Sequence, residues 1–319
     1  MPLISIIIPV YNVEKYILQT VSSAIQNPMD DIEVILVDDG SKDNSYKICS
    51  EIKDPRVRTF RQENKGAPAA RNFGFSKASG NYVWFFDSDD FFEPGIIATV
   101  IKEIHSEEHD CYLGNFYIDE GTKNNLAFKD MKRIRTLGDL YLYAPVPGSK
   151  VYKREVLIIN NILFDNVRLA QDLNFYLKFL GVTQDVKVLD APFFHYRRVP
   201  NSISNVIDDR ILDIEKSVML AKHYYDSINA FPTAYKHLYL TGQMHSAYQI
   251  SKLRLANNGF PVFRIAMHLL KMWITCFFKS FILNPDPQWY YRKAKNVAYL
   301  LYNILRILFV QACFAWKKQ

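Results

Sequence analysis

The chain has 319 residues, of which 49% are hydrophobic and 14% aromatic, and its formal net charge is +6. That length accommodates one large domain with an appendage, or two domains, and the composition excludes a disordered chain. Four cysteines (Cys49, Cys111, Cys276, Cys313) stand too far apart for a zinc spacing or a disulfide framework, which leaves buried thiols in a reducing compartment.

Ile4–Val10 is a continuous apolar run of the buried parallel-strand type. Asn12 is placed to cap a helix whose Ile17, Val21, Ala24 and Ile25 share one face and which ends near Pro28. Ile32–Val37 predicts a second strand, and Asp43 a cap for a short helix carrying Ile48 and Ile52. Val57–Phe60 reads as a strand, Ala69–Ala78 as a helix closed by Ser79-Gly80, and Tyr82–Phe86 as the next central strand. A helix burying Ile97, Val100, Ile101 and Ile104 follows Pro94. This alternation calls for a parallel sheet with right-handed crossovers. Further on, Cys111–Ile118 predicts a strand, residues 119–125 a polar loop, and residues 145–150 a constrained turn. A helix is expected over Leu169–Leu180 and a short strand over Val186–Leu189.

Beyond Asp208 the pattern is helical throughout. Residues 1–200 carry 24 Lys and Arg against 27 Asp and Glu, whereas residues 201–319 carry 15 against 6. In Phe260–Leu283, the residues Arg264, His268, Lys271, Thr275 and Lys279 fall on one narrow stripe of an otherwise apolar helix. Trp289–Trp316 repeats the device with Arg292, Lys295, Tyr299, Asn303 and Arg306. Such helices suit a membrane interface. Core helices of a homo-oligomer or of a second domain are the other reading. A true span is disfavoured by Arg306 and its polar neighbours. The chain starts directly on a core-type strand with no signal peptide, so a cytoplasmic location is expected, on the inner face of the membrane if the tail binds lipid.

Each of the first strands ends in polar residues, so ligand groups collect along one sheet edge. Tyr82–Phe86 runs into Asp87, Ser88, Asp89 and Asp90, carboxylates that repel unless a cation joins them. At a strand end that cation is expected to bridge to a phosphorylated ligand. Asp90 serves this site or caps the next segment.

Pro9-Val10-Tyr11-Asn12, Asp38-Asp39-Gly40-Ser41, Asn64-Lys65-Gly66 with Ala70-Arg71-Asn72-x-Gly74, and Asp87-Ser88-Asp89-Asp90 together resemble the motifs of the family 2 glycosyltransferases. The resemblance covers roughly residues 3–205. It implies a GT-A fold, a Rossmann-like, mostly parallel α/β sheet flanked by helices, over 1–207. Within it, 1–100 would form the nucleotide-sugar half and 101–207 the acceptor half, with a helical region over 208–319. It further implies that Asp39 accepts the uracil N3–H, or else caps its turn, that Pro9, Tyr11 and Asn12 wall the nucleoside, and that Glu14 reaches the ribose. Asp89 would ligate Mn²⁺ or Mg²⁺ directly, and Asp87 would contact the ribose or a metal-bound water, with Ser88 between them. Arg71 would fork onto the diphosphate or form a surface ion pair.

Leu169-Ala170-Gln171-Asp172 resembles the family's Glu-Asp pair, with Gln171 in place of Glu beside the acceptor and Asp172 as general base. His195-Tyr196-Arg197, with Ser202 and Ser204, resembles a closing segment that would fold over the diphosphate, and Lys150 would bond acceptor hydroxyls. The implied activity is inverting, metal-dependent transfer from a UDP-sugar to a glycan or undecaprenyl-linked acceptor of the cell envelope. A sugar nucleotidyltransferase lacks support because its Gly-rich triphosphate loop is missing. A processive synthase is disfavoured because the Gln-x-x-Arg-Trp word is missing. A non-catalytic glycan or nucleic-acid module fits poorly, because the basic stripes are narrow and the aromatics lie on apolar faces.

Overall fold

A computed structural model describes residues 1–26, 31–121, 123–183, 185–199, 208–253 and 262–283. The chain divides into two compact units, one of Met1–Asn166 with Val182–Ser202, the other of Val167–Gly181 with Ile203–Gln319. This differs from a single boundary after residue 207, because the segment around the 171–180 helix groups with the later helices.

The first unit is built on β1 (Ile4–Val10), β2 (Ile32–Asp38), β3 (Val57–Arg61) and β4 (Tyr82–Phe85), linked through α1 (Ile17–Ile25), α2 (Ser45–Glu51) and α3 (Ala67–Lys77). β1 pairs in parallel with β2 and β4, and β2 with β3. Every residue of β1 and β2 is buried, which explains their unbroken apolar runs. The chain winds outward from β1 through β2 to β3 and then returns to β4 on the other side of β1. The carboxyl ends of β1 and β4 therefore flank a topological switch point.

β5 (Phe91–Phe92), α4 (Ile96–Ser106), β6 (Cys111–Asp119), β7 (Asn124–Leu126), α5 (Leu137–Tyr141), β8 (Lys150–Lys153), α6 (Arg154–Ile159) and β9 (Val186–Arg197) complete the unit. The sheet runs β3-β2-β1-β4-β8-β6-β9-β5, with β7 paired to β6. It is antiparallel at β4–β8, β8–β6, β6–β7 and β9–β5.

Three local expectations are corrected here. The expected loop 119–125 instead holds the end of β6 and the start of β7, where Asp119 pairs with Asn124 and Ile118 with Asn125, and every residue of β7 is exposed, so no alternation marks it. β9 continues past Leu189 to Arg197, because Asp190 and Pro192, which look like a turn, sit at an irregularity where Pro192 pairs with Asn115. Asn12 is not a helix cap. It adopts φ 54°, and α1 begins at Ile17 without a side-chain cap.

The edge opposite the strand carboxyl ends is tied by one carboxylate. Glu33 Oε1 accepts hydrogen bonds from Ser5 Oγ (2.8 Å), Ser79 N (2.7 Å) and Ser79 Oγ (2.7 Å), while Oε2 accepts from Arg58 (2.9 Å). Burial opposes ionisation of Glu33, but the donors from Ser79, Ser5 and Arg58 outweigh it and hold the carboxyl below its ordinary 4.5. Glu33→Ala leaves several donors without an acceptor and is expected to cost about 2–4 kcal/mol in urea unfolding. Because the folded carboxyl is the stronger acid, this contribution is present above about pH 4.5 and disappears as pH falls through the lowered value. The deficit of the variant should shrink correspondingly in acid.

The second unit contains α7 (Gln171–Leu180), α8 (Asp213–Ile228), α9 (Pro232–Leu253) and α10 (Val262–Leu283). Tyr225 donates to the Leu177 carbonyl (2.6 Å) and Asn174 to that of Ser217 (2.9 Å), binding α7 to α8. Ile265, Ala266 and Leu269 of α10 join a core with Ile211, Ile250 and Leu253. The basic stripe predicted on this helix is exposed at His268 and Lys271, and so are Met267, Ile274 and Phe278. No described helix is long and apolar enough to cross a membrane. The second striped helix, Trp289–Trp316, lies outside the described residues, as do Ser202 and Ser204.

Candidate active site

The β1–α1 and β2–α2 loops are zipped together at the carboxyl edge of the sheet. Asn12 donates its N–H to Ser41 Oγ (3.1 Å) and accepts at Oδ1 from Lys42 N (2.8 Å). Glu14 donates its N–H to Asp43 (3.1 Å), and its Oε2 accepts from the backbone and side chain of Asn44 (both 2.9 Å). The positive φ of Asn12 is thus held by loop-to-loop bonds, and Glu14 serves the same seam. Pro9 is buried within β1, while Tyr11 is exposed beyond its end.

The two neighbouring aspartates after β2 have separate tasks. Asp38, fully buried, accepts from Ser41 N and pairs with Arg61 (3.1 Å), so turn capping falls to it. Asp39 instead reaches to the segment before α3, accepting at Oδ1 from Gln62 Nε2 (2.7 Å) and Lys65 N (2.8 Å), and at Oδ2 from Gly66 N (2.8 Å). That segment crosses so close that a Cβ on Gly40, at φ 74°, would sit 3.0 Å from the Asn64 nitrogen. A buried carboxylate anchored this way is rigid, and three bonds do not exhaust its lone pairs.

Helix α3 carries Arg71 to the site because Gly74 lets it lie against the sheet. A Cβ there would fall 2.5 Å from Ile7 Cγ2. Arg71, 3% exposed, donates through Nη2 to Asp87 Oδ1 (2.6 Å), so its role is not that of a surface ion pair.

The loop after β4 gathers Asp87, Asp89 and Asp90. Thr20 Oγ1 on α1 lies 2.9 Å from the Ser88 carbonyl and 2.6 Å from that of Asp90. Arg197 donates to the Asp89 carbonyl (2.6 Å) and to Gln19 (2.7 Å), its backbone N–H bonds Asp90 Oδ1 (2.8 Å), and Tyr16 and Phe91 cover its guanidinium. Burial and then the charge of Asp87 push the Asp89 carboxyl up to about 6, against Arg197 and Arg71. Burial and the charges of Asp89 and Asp87 raise Asp90 well above its ordinary value. The loop is short of positive charge, and its donors are hard oxygens. Among the described residues no group of three or more His, Cys, Asp or Glu is arranged to hold a metal ion by itself. Carboxylate oxygens of this kind are the ligand type that hard divalent cations take, usually with substrate phosphates completing the shell.

Two expectations are revised at this edge. His195 and Arg197 lie on strand β9, not on a lid. His195 pairs through Nε2 with Glu93 (2.7 Å) and stacks on Phe91. Arg197 holds the acidic loop, as described. Lys150 is fully buried, and its ammonium donates to Ala144 O (2.7 Å), Val146 O (3.0 Å) and Ser149 Oγ (3.0 Å), so it braces the turn instead of meeting an acceptor sugar.

Gln171 and Asp172 belong to the second unit, in the first turn of α7, behind Ala170 at φ 63°. A carboxylate there is favoured by the helix dipole. Sequence reasoning missed Thr20, Gln19, Gln62 and Phe164. Of these, Thr20 carried a faint signal as a buried hydroxyl on an otherwise apolar helix face.

A doubly flanked, mostly parallel sheet with an acidic loop at its switch point is the architecture of the GT-A nucleotide-sugar enzymes. Residues 5–158 match the family described as glycosyl transferase family 2. Glycosyltransferase GlyG of Streptococcus pneumoniae serotype 4 (strain ATCC BAA-334 / TIGR4) is 33% identical over 221 residues, which cover 63% of this chain and 72% of GlyG. The chain belongs to glycosyltransferase family 2. It is also 31% identical to the uncharacterized glycosyltransferase EpsJ of Bacillus subtilis (strain 168), over 64% of each chain, so it spans less than two thirds of that relative. The crystal structure of S. aureus TarS 1-349 in complex with UDP-GlcNAc shares the fold, with a TM-score of 0.71 at 20% identity over 98% of this chain and 92% of that one.

Proposed function

We propose that the protein transfers a sugar from a UDP-sugar to a hydroxyl of a glycan or lipid-linked acceptor in cell-envelope polysaccharide synthesis, with inversion at the anomeric carbon. The observation that carries this reading is the acidic loop itself. Asp89 and Asp87 sit beside the buried Arg71, one strand away from the buried Asp39. Asp39, already rigid, would accept the uracil N3–H, and Pro9, Tyr11 and Asn12 would line the nucleoside. Asp89 and Asp87 would hold Mn²⁺ or Mg²⁺, which supplies Lewis-acid stabilisation of the departing diphosphate when bound. Arg71 would share that negative charge through a guanidinium fork. Asp172 would take the proton of the attacking hydroxyl, and Gln171 would contact the acceptor. The UDP-GlcNAc bound in TarS is in keeping with a uridine donor.

Thermal denaturation with nucleotides tests the donor. UDP with Mn²⁺, at about a hundred times its dissociation constant, should add roughly 2.7 kcal/mol of stability, and GDP at equal concentration far less. Equal effects of the two would remove the uridine assignment.

The reading includes peripheral membrane contact through residues 260–319. The exposed Met267, Ile274 and Phe278 beside Lys271, and the absence of acidic residues after Asp226 except Asp286, support it. Vesicles containing anionic lipid should retain the intact chain at low salt and release it at high salt. A stable dimer with no vesicle affinity would favour the tail as a packing surface.

A further inference from the structure

Phe164 lies in the stretch between α6 and α7 that no motif marks, yet three contacts tie it to the diphosphate end of the site. Asn72, next to Arg71 on α3, grips its backbone from both sides, donating to the Phe164 carbonyl (2.9 Å) and accepting from its N–H (3.0 Å). The ring packs edge-on against Phe85, the last residue of β4, with centroids 4.9 Å apart. Its face lies 5.1 Å from the guanidinium carbon of Arg71, whose Nη2 holds Asp87 at 2.6 Å. Fixed thus by main chain and ring, Phe164 is 5% exposed.

We propose that Phe164 is a positioning residue for donor diphosphate recognition, acting by setting the plane in which Arg71 presents its guanidinium. The inference rests on the reading of Arg71 as a diphosphate ligand. A guanidinium forks onto an anion only in its own plane, so whatever holds its face fixes the direction of its N–H groups. A cation on an aromatic face also keeps its charge at less cost inside the protein than against an aliphatic wall. Asn72 then has a defined task 92 positions away in sequence, since it anchors the residue that orients its neighbour.

The test compares UDP with uridine, which lacks the phosphates, both in excess Mn²⁺. Phe164→Leu keeps apolar bulk but removes the ring face. The dissociation constant of UDP should rise about 5–30-fold and that of uridine by less than twofold, while Phe164→Tyr should restore UDP binding. In an Arg71→Met background, Phe164→Leu should add no further loss, because the orienting effect has nothing left to orient. Equal weakening of UDP and uridine by Phe164→Leu would mean a collapsed pocket and would overturn the proposal. So would unchanged UDP affinity in Phe164→Leu when Arg71→Met weakens it. If Arg71→Met itself leaves UDP affinity unchanged, the underlying reading of Arg71 fails instead, and the inference with it.

Discussion

Asp172→Asn is expected to lower sugar transfer to an acceptor by about 10²–10⁴-fold, the usual scale of a general-base contribution. The amide keeps the shape of the side chain and its place in the first turn of α7, but it cannot accept a proton. UDP-sugar affinity should stay within about twofold, since the residues proposed to bind the donor lie on other elements. Gln171 precedes Asp172 where the family pattern has Glu, so no second carboxylate stands next to it in sequence to take over. The product anomer should be inverted, because one in-line attack opposite the diphosphate permits no other outcome. NMR of the product and single-turnover rates of both proteins check this. Retention, or ordinary turnover by the variant, would place the base elsewhere.

The second large effect is expected at Asp89. With Mn²⁺ present, Asp89→Asn should weaken UDP binding by more than about 100-fold, while chelator should bring the parent protein down to the level of the variant. Stability should move in the opposite sense. The folded carboxyl titrates near 6 rather than the ordinary 3.8, so the folded state holds the proton more tightly than the unfolded chain. The contribution of this one group to stability without metal is therefore highest below about pH 4, falls between about 4 and 6, and stays at its lower level above. Holding this carboxylate ionised costs the fold at most about 3 kcal/mol. In chelator, Asp89→Asn should then match the parent in acid and exceed its melting temperature at pH 8. UDP affinity of the parent with Mn²⁺ should decline about tenfold per pH unit below 6, as a proton competes for the ligand oxygen. Metal-dependent UDP binding retained by the variant would remove Asp89 from the metal site.

What the sequence determined by itself was the strongly patterned part of the local structure. The buried runs Ile4–Val10 and Ile32–Val37, the helices between them and the polar words at the strand ends follow from side-chain period and turn chemistry acting over a few residues. Parallel pairing follows from the helical crossovers, so the shared edge of Asp39, Asp87 and Asp89 was legible before any coordinates. Weak local signals failed in the expected places. β7 is exposed on both faces, and β9 carries Asp190 and Pro192 at an irregularity in its pairing.

Only the tertiary structure decided which partner each polar group takes. Arg197 reaches back 108 positions to the carbonyl of Asp89, Asn72 forward 92 to Phe164, and Thr20 across 70 to Asp90. Lys150 satisfies its ammonium on carbonyls four and six residues away once the turn folds over it, which no spacing rule encodes. Asp38 and Asp39 are neighbours of identical chemistry, and their tasks diverge because successive side chains at a strand end point to opposite faces. One faces Ser41 and Arg61, the other the loop at Lys65 and Gly66. Hydrogen bonds between distant segments depend on where the chain has been carried, and periodicity along the chain holds no record of that.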